Sequence, residues 1–213
     1  MFGTHDLALF IASGLLLNIA PGPDSLLVVT RSAAQGWRAG SAAAFGIGAG
    51  IFVHIFAAAL GLSAVLATSA TAFAAVKYAG AAYLLYIGIG LLVGKRNNLA
   101  GTKSTLAPAP LTYRKIFMQG FLTNVLNPKV ALFFLAFVPQ FMLPDSTNKA
   151  LAFIVLGCIF NFNGMLWCNL LAVVTAFTRS RIRAGNALSR WIGRLVGALF
   201  VSFGVKLALT QGN

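Results

Sequence analysis

Glutamate is absent from this 213-residue chain, and aspartate occurs only as Asp6, Asp24 and Asp145. Charged residues make up 9% of it, against about 25% in soluble domains, too few to keep a globular surface dispersed in water. Two cysteines exclude a disulfide-stapled secreted scaffold. Low charge together with 59% hydrophobic residues excludes a disordered chain. What is present is apolar sequence in long runs, with a mean hydropathy of +0.86. One membrane crossing needs about 20 residues. Runs of helical length near 6–30, 40–67, 72–94, 115–139, 149–177 and 187–210 predict six crossings and an all-α, multi-pass membrane protein.

A net charge of +13 in a soluble chain would suggest nucleic acid. Its placement argues for membrane orientation instead. Arg31 and Arg38 fall in the first connection; Lys95, Arg96, Lys103, Arg114 and Lys115 lie in or beside the third. Arg179, Arg181, Arg183, Arg190 and Arg194 lie in or beside the fifth, so twelve of the sixteen basic residues share one face. The positive-inside rule makes that face cytoplasmic and puts both termini outside. No removable signal peptide is expected. Met1 to Asp6 carry no Lys or Arg, and Pro21-Gly22-Pro23 interrupts the following apolar run where a small-residue cleavage site would be needed. Cys158 and Cys168 fall within one predicted helix about 15 Å apart along its axis, which rules out a bond between them and predicts buried thiols.

The two halves of the chain resemble one another. Gly14 and Asn18 precede Pro21-Gly22-Pro23-Asp24, and Gly120 and Asn124 precede Asn127-Pro128-Lys129. Three crossings per half would insert the second half upside down. The expectation is therefore two inverted three-helix repeats, with broken first and fourth helices meeting at a midplane site. Residues 1–94 form the first repeat, 95–113 a cytoplasmic linker rich in Lys, Asn, Thr, Ala and Pro, and 114–213 the second repeat.

Proline within a span removes an amide and frees a carbonyl that must find another partner in hydrocarbon. The breaks at Pro21, Gly22 and Pro23 and at Asn127 and Pro128 would thus offer carbonyls to an ammonium or other cation, and helix-start amides to a carboxylate. An amino acid carries both groups. Asp24 is the one acidic residue well inside a span, where a charge costs several kcal/mol. It must face the bundle interior, pair with a cation, or carry a proton. Lys129 holds the corresponding place in the second half, and an Asp24–Lys129 pair serving either coupling or structure is expected. His54, near the middle of the second span, suits a proton relay or a packing hydrogen bond equally. Asn161, Asn163 and Asn169 would line a path or bond neighbouring helices, as would Tyr78, Tyr83 and Tyr86. The candidate substrate and proton pathway is Asn18, Pro21, Gly22, Pro23, Asp24, His54, Asn124, Asn127, Pro128, Lys129 and Asn161. Gly46/Gly50, Gly90/Gly94 and Gly193/Gly197 permit close helix packing or a homodimer.

Several motifs in order, Pro21-Gly22-Pro23-Asp24, Lys77-Tyr78-Ala79-Gly80-Ala81-Ala82-Tyr83-Leu84, Asn127-Pro128-Lys129 and Phe137-Val138-Pro139-Gln140-Phe141, resemble those of the lysine-exporter (LysE) superfamily. Within it the chain is most similar to the RhtB-type homoserine, threonine and leucine efflux proteins, over essentially its whole length. The resemblance implies a bacterial inner-membrane exporter of amino acids or their derivatives, driven by the proton gradient, with no cofactor and no enzymatic activity. A cation or metal exporter and a passive channel of the same fold are the alternatives. An intramembrane serine protease is disfavoured: Gly61-Leu62-Ser63-Ala64 lacks the second glycine of a nucleophile turn, and His54 precedes Ser63 by nine residues on one helix, too far for a nucleophile–base bond.

Overall fold

A computed structural model describes residues 3–62, 111–143 and 148–178, with single positions within 71–93 and 198–205. The described chain is helical. The first predicted crossing is two helices, α1 (Leu7–Ile19) and α2 (Pro23–Gln35), bent by 54° at their junction. The fourth is likewise split into α4 (Tyr113–Val125) and α5 (Pro128–Leu132), bent by 46°, and α5 runs on through a π turn at Phe133–Phe137 and a 3-10 turn at Val138–Phe141. Two helices are individually long and apolar enough to cross a bilayer. These are α3 (Trp37–Ala57), continued by a π turn to Leu62, and α6 (Lys149–Thr178). Counting each bent pair as one span gives up to four crossings among the described residues. Apart from those single positions, the third and sixth predicted crossings lie outside the described residues, as do the linker before Leu111, Lys77 and Tyr83.

The first connection is shorter than the charge pattern predicts. Helix α2 continues through Arg31, which is buried, and only Gly36 separates Gln35 from α3. Gly36 has φ +87°, a conformation that costs a residue with a Cβ far more than it costs glycine. Arg38 therefore sits in the first turn of α3 rather than in a loop.

Small residues set the packing. Helix α3 lies against α2, α4 and α6. A Cβ at Gly46 would collide with the Phe117 carbonyl, and one at Gly120 with the Ala43 carbonyl, so α3 and α4 approach backbone to backbone. The Gly46/Gly50 spacing thus serves packing within this chain. Beyond this seam the core is aromatic. Phe133 stacks on Phe160 at 4.4 Å and on Phe137 at 5.0 Å, and Phe141 meets Phe10 edge-on at 5.2 Å. The chain's first described residues seal this end: the His5 amide donates to the Phe141 carbonyl at 3.0 Å, and the Leu143 amide to Gly3 at 2.8 Å. The outward faces are apolar too, with Phe162 65% and Phe177 78% exposed. Such a surface suits acyl chains rather than water.

Candidate functional site

The two helix breaks lie side by side and exchange side chains. Asp24 is in the first turn of α2, where the positive end of the helix dipole favours a carboxylate. Its Oδ2 accepts from Asn124 Nδ2 at 2.9 Å and from Asn127 Nδ2 at 3.1 Å, both at the α4–α5 break. Lys129, in α5, reaches the opposite way. Its Nζ donates to the carbonyls of Leu17 at 3.2 Å and Ala20 at 3.3 Å, at the C-terminal end of α1. The acid of the first half thus braces the break of the second, and the base of the second braces the break of the first.

Proline chemistry explains the partners. In an unbroken helix the Leu17 carbonyl would accept from the amide at position 21, which proline lacks; the Lys129 ammonium takes its place. The Asn124 carbonyl would accept from position 128, again a proline. It is met instead by His54 Nε2 at 3.0 Å and by the Asn127 amide at 2.9 Å. Because a carbonyl can only accept, His54 carries its proton on Nε2 here. Its ring also stacks on Phe134 at 6.1 Å. Asn127 caps α5 by accepting from the Lys129 amide at 3.0 Å, so one side chain both starts that helix and holds Asp24.

Lys129 and Asp24 do not form the direct ion pair expected from their matched positions. No salt bridge within 4 Å joins the two, whereas His5 Nδ1 lies 3.0 Å from Asp6 Oδ2. The physical reason is that each break presents its own unsatisfied groups, carbonyls for the ammonium and asparagine amides for the carboxylate, closer than the opposite charge.

Asp24, Lys129, Asn18 and Asn124 line one cavity of about 20 Å³ between α1, α2, α3, α4, α5 and α6. That is room for about one water molecule. Its remaining wall is largely apolar, with Leu17, Ile47, Ile51, Phe160 and Met165. Three buried polar atoms of its lining have no hydrogen-bond partner: Asp24 Oδ1, Asn124 Oδ1 and Asn18 Nδ2. Unpaired groups of this kind are costly in an interior and mark a place built for something else.

Other predicted residues fall around this chamber rather than in it. Asn161 donates from Nδ2 to the Gly48 carbonyl at 3.2 Å, tying α6 to α3 beside the cavity. Asn169 turns back on its own helix to the Met165 carbonyl at 2.8 Å. Gly22 leaves space for Lys129, since a Cβ there would stand 3.1 Å from Nζ. Pro21, Pro23 and Pro128 shape the breaks without lining the cavity, and Tyr78 and Tyr86 are exposed. The expectation of two buried thiols is corrected: Cys168 is buried against the cavity, but Cys158, on another face of α6, is exposed. Sequence reading missed Met165, Gly164 and Cys168, whose spacing in α6 matches any apolar helix face. It also missed a clasp in which Gln35 donates to the Leu111 carbonyl and accepts from the Leu111 amide, each at 2.9 Å.

Relatives share this chain over nearly its full length. It is 34% identical over 207 residues to an uncharacterized membrane protein of Pseudomonas aeruginosa, PA4757, covering 97% of this chain and 96% of that one. It is 31% identical over 212 residues to the uncharacterized membrane protein YrhP of Bacillus subtilis, covering 97% and 100%. The leucine efflux protein of Salmonella typhimurium is 27% identical over 210 residues, covering 99% and 98%. No solved structure gives a significant match. The apolar helices and these relatives make it a multi-pass membrane protein. With the family model matching residues 15–211, the chain belongs to the LysE type translocator family.

Proposed function

We propose that this chain exports an amino acid or a close derivative across the bacterial inner membrane by proton-coupled alternating access. The reading rests on one observation: a small, mostly apolar chamber in which oxygens and a nitrogen of opposite hydrogen-bonding sense stand unpaired. Asp24 Oδ1 and Asn124 Oδ1 suit an ammonium, the substrate's or that of Lys129, and Asn18 Nδ2 suits a carboxylate. The apolar wall takes a side chain. At about 20 Å³ the chamber is far too small for any amino acid, so it corresponds to the occluded, unloaded state, and loading requires the two helix breaks to move apart. Membership of the family, with a leucine efflux protein among its relatives, supports export as the direction of transport.

The two halves act as inverted three-helix repeats, residues 1–94 and 114–213, rocking about the seam between α3 and α4, with both termini outside. Asp24 is the group that takes up and releases the proton as access alternates, and His54 supports it by holding the Asn124 backbone in place. Reconstituted protein in vesicles tests the reading. Vesicles loaded with radiolabelled leucine, threonine or lysine should release at least one of them faster than protein-free vesicles when a pH gradient is imposed. An uncoupler should remove the excess. Release equal to that of empty vesicles for every amino acid tried would overturn the proposal, and gradient-independent release would make the protein a passive channel.

A further inference from the structure

The Lys129 ammonium passes over the nearest carboxylate and seats itself on two neutral carbonyls. A lysine kept only to neutralise Asp24 would lie within salt-bridge distance of it, and it does not. The carbonyls it chooses lie at the C-terminal end of α1, Leu17 in the last turn and Ala20 just beyond it, where the helix dipole is negative and Pro21 leaves the Leu17 carbonyl without a helical amide. Ala20 has already left the helix, with ψ at 128°. Gly22 supplies the room, as a Cβ there would press on Nζ at 3.1 Å. Two converging carbonyls and a glycine-cleared space form a recognition site for a primary ammonium, and this one is filled from within the chain.

We propose that the Leu17 and Ala20 carbonyls form the ammonium site of the transport cycle and that Lys129 is its tethered occupant, displaced when a free ammonium enters. The displaced Nζ has a destination, because Asp24 Oδ1 faces the same cavity without a partner. Loading and formation of the Asp24–Lys129 ion pair would then be one event, and release would return Lys129 to the carbonyls. A tethered ammonium competes at a high effective concentration, so the empty protein closes on itself rather than leaking small cations. This rests on the efflux reading above but concerns binding alone.

The test uses purified full-length protein in detergent, with methylammonium chloride as ligand and thermal unfolding as readout. Lys129→Met empties the carbonyl pair while keeping an unbranched side chain, and methylammonium at tens of millimolar should raise its melting temperature by a few degrees. The wild type, whose site is occupied, should not respond. Tetramethylammonium has the same charge but no N–H donor and should act on neither. Pro21→Ala added to Lys129→Met restores an amide for the Leu17 carbonyl and should abolish the response. An equal shift in the wild type, an equal effect of tetramethylammonium, or a response surviving Pro21→Ala would each overturn the proposal. Should Lys129→Met fail to fold, Lys129→Gln keeps N–H donors toward the carbonyls and should show a smaller shift of the same sign; no shift in that variant would also refute it. Because no cargo is involved, loss of the shift with amino-acid flux intact sinks the tether alone. A persistent shift without any flux sinks the efflux reading and leaves the ammonium site standing.

Discussion

Replacing Asp24 by asparagine separates the charge of that side chain from its hydrogen bonds. Oδ2 of Asp24 accepts two amide N–H groups, from Asn124 and Asn127. Asparagine can turn its oxygen to the same two donors and place its amide where Oδ1 now stands unpaired in the cavity. Bonds to a charged acceptor contribute about 1.5–3 kcal/mol each and neutral ones about 0.5–1.5, so exchanging two of them forfeits roughly 2–3 kcal/mol. Removing a desolvated charge from the interior offsets part of that. Asp24→Leu, by contrast, leaves both amides buried and unpaired, at about 1–3 kcal/mol apiece. Asp24→Asn should therefore unfold at a temperature close to the wild type, and Asp24→Leu well below both. In vesicles, Asp24→Asn should still exchange labelled for unlabelled amino acid across the membrane but should no longer respond to an imposed pH gradient. Full gradient-driven flux in Asp24→Asn would refute Asp24 as the coupling group. Identical melting of the leucine and asparagine variants would refute the bonding described here.

Three further outcomes are expected. Gly120→Val should prevent stable folding, because its side chain must enter the space of the Ala43 carbonyl at the α3–α4 seam; overpacking costs about 1–3 kcal/mol where neighbours can move and more where they are backbone, and yield and monodispersity on gel filtration report it. His54→Phe keeps a ring against Phe134 but removes a donor from the Asn124 carbonyl, and should lower stability by about 1–3 kcal/mol in denaturant titration. In a Cys158→Ser background, a methanethiosulfonate reagent should block transport through Cys168 faster while the protein is turning over, since the thiol is buried against the cavity; block at an equal rate in the resting protein would contradict opening of the chamber during transport.

Much of this was legible in the chain itself. Long apolar runs with few charges specify membrane helices because unpaired backbone in hydrocarbon costs too much for other forms. Proline at 21, 23 and 128 specifies where two of those helices break, because a missing amide is a local fact. Of the eleven residues expected along a pathway, Asn18, Asp24, Asn124 and Lys129 line one cavity, while Pro21, Gly22, Pro23, His54, Asn127, Pro128 and Asn161 do not. What could not be read was who satisfies whom. Asp24 and Lys129 looked like partners because opposite charges attract, yet each found neutral groups nearer to hand. Cys168 and Met165 joined the chamber and Cys158 did not, because the rotation of α6 about its axis is set by what packs against it, and an evenly apolar helix carries no signal of its rotation. Composition and backbone chemistry act within a few residues and so can be read from order alone. Which donor meets which acceptor across the chamber depends on distances between segments about a hundred residues apart in the chain, and only the packed fold sets those.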